Sequence, residues 1–331
     1  MATDYASSER ARQARWRETA TSLPAEARVA GTFREHPHAW LLPIGLADHN
    51  LLPTLREPLR TYIATNDIAW HDGDSPDYGQ RAEPGPSPNL MDSQVACLNF
   101  WWGLATTSPD ALLAVVRTFA PDAVRMVAPV HEGPLVEAEW IGLTNHLGER
   151  GGRRRGQYAT SADLLVTWED GAGERHGALI ESKYSESYTS RHLRISSRGT
   201  DRATIYANAA SQPWSPLTDT VPLGDLMYEP FDQHLRQQLL AAAMEATGEL
   251  GLRTVRLVHA APRANRSFHD VVTAPALKGF GATVADAWRA MLRRPERYVS
   301  VAYEDLFARA SAVQGTEDWS AQLAGRYGWA S

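Results

Sequence analysis

The stretch GALIESKYSESY, residues 177–188, decides how this chain is read. It opens as an apolar run and then sets Glu181, Ser182 and Lys183 into what reads as a buried strand. Side chains alternate across a strand with period two, so Glu181 and Lys183 share one face and Ile180 and Ser182 the other. Opposite charges in a buried strand cost free energy unless they are paired, hydrogen-bonded or bound to a metal. Of the 33 basic residues only Lys183 and Lys278 are lysines, so elsewhere the chain supplies positive charge with arginine. A lysine kept at 183 points to a task that needs a compact point charge, which a planar guanidinium fork does poorly.

Upstream, SADLLVTWED (161–170) reads as a strand, GAGE as a turn and RHGALIESKYS as the following strand, which together make a hairpin. Pairing of 161–168 with 177–184 brings Asp163 toward Glu181. Two carboxylates at close range repel, and one takes up a proton unless a cation lies between them. A hard divalent ion, Mg²⁺ above all with Mn²⁺ as the alternative, removes that conflict. Such an ion polarises a phosphoryl oxygen and acidifies a bound water. Lys183 can then orient the water or meet charge developing on the phosphate.

Further out, 5–35 is rich in Ala, Arg and Glu and predicts helix, whereas 36–90 reads as irregular. The acid-rich loop at 71–89 lacks the spacing of a calcium loop. MDSQVACLNFWWGLA (91–105) starts with an Asp or Ser cap and predicts a helix, as does 108–118. PLVEAEWIGL (134–143) predicts a strand, GERGGRRRGQ (148–157) a loop, 189–210 a partial helix broken at Gly199, 232–247 a helix and 253–262 a strand. Residues 282–295 and 316–326 predict closing helices. The order across 91–262 is helix, strand, strand, strand, helix, strand, which one sheet with helices packed on it accommodates.

Composition narrows the function classes. The net charge of -6 and pI of about 6.0 give no global basic field for nucleic acid and leave room only for a local basic cleft. One cysteine, Cys97, allows no internal disulfide and no multi-cysteine zinc site, and suits a reducing compartment. The N-terminus has no apolar signal-peptide core, and there is no run of about 18 apolar residues for a membrane span, so a cytoplasmic location is expected. No G-x-S-x-G, H-E-x-x-H or P-loop is present.

SAD, followed 18 residues later by ESK, resembles the PD-(D/E)xK nuclease superfamily, with Ala162 where that signature has Pro. SQVACLNF, VEAEW, TSAD, IESKYSESY and LRQQLLAAAMEA together resemble a bacterial family of restriction-endonuclease-type proteins within it, over roughly 66–270. The resemblance implies a mixed α/β fold, a restriction-endonuclease-like core with a central mixed sheet flanked by helices. Expected are an N-terminal helical and irregular extension (1–90), the nuclease core (91–270) and a C-terminal helical extension (271–331).

By the same resemblance, Asp163 and Glu181 would bind Mg²⁺, with the Ser182 carbonyl as an extra ligand and Lys183 as the catalytic lysine. Glu137 on the first strand and Gln94 on the first helix would stand beside them. Strand parity does not separate Glu137 from Glu139. The activity implied is Mg²⁺-dependent endonuclease hydrolysis of DNA in restriction or defence. The alternatives are a nuclease acting on RNA or branched DNA, or a non-catalytic nucleic-acid-binding or scaffold protein. A homodimer would let each subunit meet one strand. Two arginine groups are candidates for the DNA phosphates: Arg150, Arg153, Arg154 and Arg155 in the Gly/Arg loop, and Arg191, Arg194, Arg198 and Arg202 at helical spacing.

Overall fold

The structure, a computed structural model, describes residues 4–150, 152–197 and 199–330. The chain starts with α1 (Tyr5–Thr19) and a two-stranded ribbon of β1 (Gly31–Phe33) and β2 (His36–His38), followed by α2 (Arg56–Thr65). Asp92 caps α3 (Ser93–Cys97) by accepting the amide of Val95 at 2.7 Å. A π turn over Leu98–Trp102 leads into α4 (Gly103–Thr107), and α5 (Pro109–Val116) begins at the cap Ser108. The strands β3 (Ala123–Val127), β4 (Val136–Trp140), β5 (Ala162–Asp170) and β6 (Arg175–Ser182) come next. Then follow α6 (Arg202–Ala210), α7 (Phe231–Thr247), β7 (Thr254–Ala261), α8 (Arg266–His269), α9 (Val284–Arg289), β8 (Tyr298–Ala302), α10 (Tyr303–Ser311) and α11 (Glu317–Tyr327).

Six strands form one mixed sheet in the order β3-β5-β6-β7-β8, with β4 also paired to β5. β3 pairs with the C-terminal half of β5 and β4 with its N-terminal half, both antiparallel. β5 and β6 form the expected antiparallel hairpin, and β6, β7 and β8 run parallel. The parallel step from β6 to β7 requires a crossover, which α6 and α7 supply.

Alternation along the central strands builds two cores. Leu164, Val166, Trp168, Ile180 and Val258 are fully buried in a cluster with Val95, Phe100 and Leu112 of α3, the π turn and α5 and Leu306 of α10. Leu165, Leu179 and Leu257 point the other way, into Leu235, Leu239 and Met244 of α7 and Trp288 of α9. A sheet covered on both faces reads as near-continuous apolar sequence. The charges of β5 and β6 are therefore confined to the strand ends, and Asp163, Glu181 and Lys183 all lie at the same end of the hairpin.

Several boundaries differ from expectation. The helix foreseen for 189–210 is confined to Arg202–Ala210, capped by Asp201, because Gly199 takes a φ of +77° and the preceding segment makes isolated bridges, His192 with Tyr228 and Ile195 with Asp201. The closing helix at 282–295 is the shorter Val284–Arg289, and Pro295 opens a further turn before β8. The helix at 5–35 stops at Thr19. β3, β8 and α10 were not foreseen. β3 is an edge strand with no clean alternation of burial, and β8 is five residues long with only Tyr298 buried. Among the described residues no helix is long and apolar enough to cross a membrane.

Candidate active site

One step beyond the Leu164–Ile180 pair, the register of β5 and β6 sets Asp163 against Glu181. Oδ2 of Asp163 accepts the backbone amide of Ser182 at 2.6 Å, so its carboxylate is anchored on the β6 backbone. Lys183 Nζ lies 2.5 Å from Oε1 of Glu181, and the Lys183 amide donates to Ala260 of β7 at 2.8 Å. The strand pairing thus positions the backbone from which the ammonium reaches back.

Glu181 is 1% exposed and its two oxygens are divided among fixed donors. Gln233 Nε2 donates to Oε1 at 2.6 Å, and Gln237 Nε2 donates to Oε2 and, at 2.9 Å, to the carbonyl of Ser161. Gln233 and Gln237 are four residues apart on α7, so they share a helix face. The helix that covers one core therefore also fixes the carboxylate and the start of β5.

A third carboxylate comes from β4. The pairs Ala138–Leu164 and Trp140–Ala162 place Glu139 opposite Asp163. Glu139 has a φ of +49°, which breaks regular strand alternation there. Glu139 accepts Gln94 Nε2 at 3.0 Å and Ser161 Oγ at 2.8 Å, and pairs with His71 Nε2 at 3.0 Å. Glu137 has other partners, accepting Tyr62 OH at 2.6 Å and an Arg155 N–H at 2.9 Å. Parity had left the two acids equivalent; the structure separates them, with Glu139 in the cluster and Glu137 in an ion pair. Gln94 reaches Glu139 and also holds the 69–71 segment, donating to Ala69 O at 3.1 Å and accepting the His71 amide at 3.2 Å.

Burial and the neighbouring charge of Glu181 push the Asp163 carboxyl well above its usual range, and Glu139 adds to the push. Burial works against the Lys183 ammonium, but Glu181 outweighs it and holds the pKa above the ordinary lysine value. Burial would raise Glu139 as well; its ion pair with His71 and its hydrogen bonds bring it below the usual value instead. The His71 imidazole, disfavoured by burial but paired with Glu139, is pushed up to about 9.

The donor set suits a hard cation, since Asp163, Glu181 and Glu139 offer only oxygen, and an ion among them would relieve the like-charge conflict that raises Asp163. These three acids do not form a closed ligand set in this structure. Among the described residues, the three-ligand group whose donor atoms all lie within 4.8 Å of one another is Asp122, Asp170 and His176, at the opposite end of the β5–β6 hairpin. There His176 is engaged with Asp170 at 3.1 Å and Thr254 at 2.9 Å.

The arginines are arranged differently from expectation. Arg155 is turned inward, donating to Glu137, Tyr62 and the carbonyls of Ala138 and Glu139. Arg153 donates to the carbonyls of Ile141 and Gly142, and Arg154 to Asp67 and Gln157. The loop expected to offer its charges to phosphate uses Arg153, Arg154 and Arg155 to pack itself. Arg191 is exposed, Arg194 pairs with Asp201, and Arg198 lies outside the described residues. Among the described residues, Arg191 and Arg194 lie outside any helix, and α6 begins only at Arg202.

His71, Gln233 and Gln237 were missed in the sequence. The two glutamines four apart on the helix predicted at 232–247 were the available signal; His71 lies in an irregular loop with no pattern around it.

A mixed sheet flanked by helices, with two acids and a lysine at one end of the central hairpin, defines a restriction-endonuclease-like protein. The chain matches the family model described as Restriction Endonuclease associating with ARP over residues 10–328 and belongs to that family. No curated protein and no solved structure matches it.

Proposed function

We propose that this protein is a Mg²⁺-dependent endonuclease that hydrolyses phosphodiester bonds in DNA, acting in restriction or defence. The observation that carries the reading is the buried Glu181–Lys183 pair beside Asp163, built on two neighbouring strands and fixed by α7. Membership in a restriction endonuclease family supports DNA as the substrate. The family's description also makes ARP the partner to test first.

Asp163 and Glu181 would hold the cation, with the Ser182 carbonyl and Glu139 beside them. The bound ion would polarise a phosphoryl oxygen and lower the pKa of a water. Lys183 presents an ammonium whose charge Glu181 fixes in place; its remaining N–H groups can hold the attacking water or a non-bridging phosphate oxygen. Gln233 and Gln237 keep Glu181 from swinging away, as the supporting groups around metal ligands do. Gln94, Ser161 and His71 do the same for Glu139. Because these groups are prearranged, little reorganisation is needed when charge develops on the phosphate.

Plasmid DNA incubated with Mg²⁺ and wild-type protein should be nicked or linearised, and EDTA should stop the reaction. Lys183→Ala should cut at least 100-fold more slowly, within the range expected when one positioned donor to the developing charge is lost. Equal cutting by the two proteins would remove Lys183 from the mechanism. DNA binding with no metal-dependent cutting would favour a non-catalytic scaffold.

A further inference from the structure

Beside the candidate active site runs a cleft of ≈ 860 Å³ lined by Arg150, Tyr158, Arg202, Ile205, Tyr206 and Arg236. We propose that it binds one unstacked nucleotide of the DNA strand, with the base on the Tyr158 ring and its phosphate between Arg150 and Arg202. The proposal rests on the nuclease reading for the identity of the polymer, but the cleft is a separate feature.

Three observations converge on it. Tyr158 is 70% exposed yet held at a φ of +61°. A bulky residue in that region is a backbone outlier, and such outliers concentrate at ligand clamps. An exposed aromatic at the wall of a cleft offers the sequence-tolerant stacking surface that single strands use.

The charge of the walls is also complementary to a phosphate. Arg150 is exposed. Arg202 and Arg236 share one buried carboxylate, Asp232, at 2.8 and 3.2 Å, which leaves the pair with net positive charge. Glu149, the acid of the cleft, already accepts Thr160 and Tyr206.

Finally, the cleft adjoins the acids. Arg236 donates to Thr160 at 3.2 Å, while Gln237, the next residue of α7, holds Glu181. Thr160 is three residues from Asp163 in the chain. A nucleotide seated in the cleft would therefore lie along the strand that enters the site.

The test is fluorescence anisotropy of a labelled 20-nucleotide single strand with the full-length protein in EDTA, which prevents cutting. Tyr158→Ala should weaken binding roughly five- to 150-fold, the span of stacking losses per base, while Tyr158→Phe keeps the ring and the affinity. Arg150→Gln should lower the salt slope by about 0.7, one phosphate contact on a single strand. A Tyr158→Ala affinity within twofold of wild type overturns the proposal, as does a wild type that does not bind. Plasmid cutting by the wild type, read in parallel, separates the two claims. Cutting with Tyr158-independent binding overturns the cleft alone, and Tyr158-dependent binding without cutting overturns the nuclease reading alone.

Discussion

Lys183 Nζ sits 2.5 Å from Oε1 of Glu181, with 14% of the lysine side chain and 1% of the glutamate side chain exposed. Such a pair is held by geometry, because desolvation of both charges offsets most of their attraction. Removing one partner leaves the other buried and uncompensated. Lys183→Met should therefore lose about 3 kcal/mol of stability in EDTA, the lower end of the range for a broken buried pair, because Gln233 and Gln237 still serve Glu181. Urea unfolding measures this, and the double variant Lys183→Met, Glu181→Gln should recover part of the loss.

Asp163 has the opposite signature. Its folded pKa is raised well above the ordinary aspartate value by burial and the charge of Glu181. Its favourable contribution is present below that value and is lost as pH rises through the folded pKa. At pH 7 without metal, keeping this group buried beside Glu181 is therefore a net cost. Asp163→Asn keeps an oxygen for the Ser182 amide, so it should raise Tm in EDTA, by roughly 2 °C for each kcal/mol gained. Added Mg²⁺ should raise the wild-type Tm and leave the variant unchanged. A variant that melts lower in EDTA would show that Asp163 is charge-compensated within the protein.

Glu139 and Glu137 should part company in activity. Glu139→Gln changes a carboxylate beside Asp163 and should slow plasmid cutting at least tenfold, the lower end of losses around metal ligands. Glu137→Gln removes the partner of Arg155, which is 14% exposed, and should lower stability while leaving the cutting rate within about threefold. Cutting rates and melting temperatures of the two variants measured side by side decide the matter.

The hairpin was legible because its signals are local: an apolar run, a Gly turn and charges at period two. The neighbouring details were not local. Glu139 is distinguished from Glu137 by a single backbone angle, φ of +49°, which a sequence pattern does not encode. Arg153, Arg154 and Arg155 read as a basic patch, but their partners are backbone carbonyls and the side chains of Tyr62, Asp67, Glu137 and Gln157, brought there by tertiary folding. His71 enters from a loop more than 60 residues before Glu139. Edge strands such as β3 carry too little burial contrast to show periodicity.

His71 couples the site to pH. Its folded pKa of about 9 lies above the ordinary 6.5, because the Glu139 pair outweighs burial. The stability it contributes is complete below pH 6.5 and is lost as pH rises through about 9. With 38% of its side chain exposed, screening holds this contribution to about 1 kcal/mol. His71→Gln should flatten the stability profile of the metal-free protein between pH 6.5 and 9, followed by denaturant midpoints across that range.

The most direct test of a cation held between Asp163 and Glu181 is a Mn²⁺ titration followed by electron paramagnetic resonance of the free ion, using wild type and Asp163→Asn. Wild type should take up Mn²⁺, Mg²⁺ should displace it, and Asp163→Asn should bind at least tenfold more weakly. Equal Mn²⁺ affinity in the two proteins would contradict the assignment.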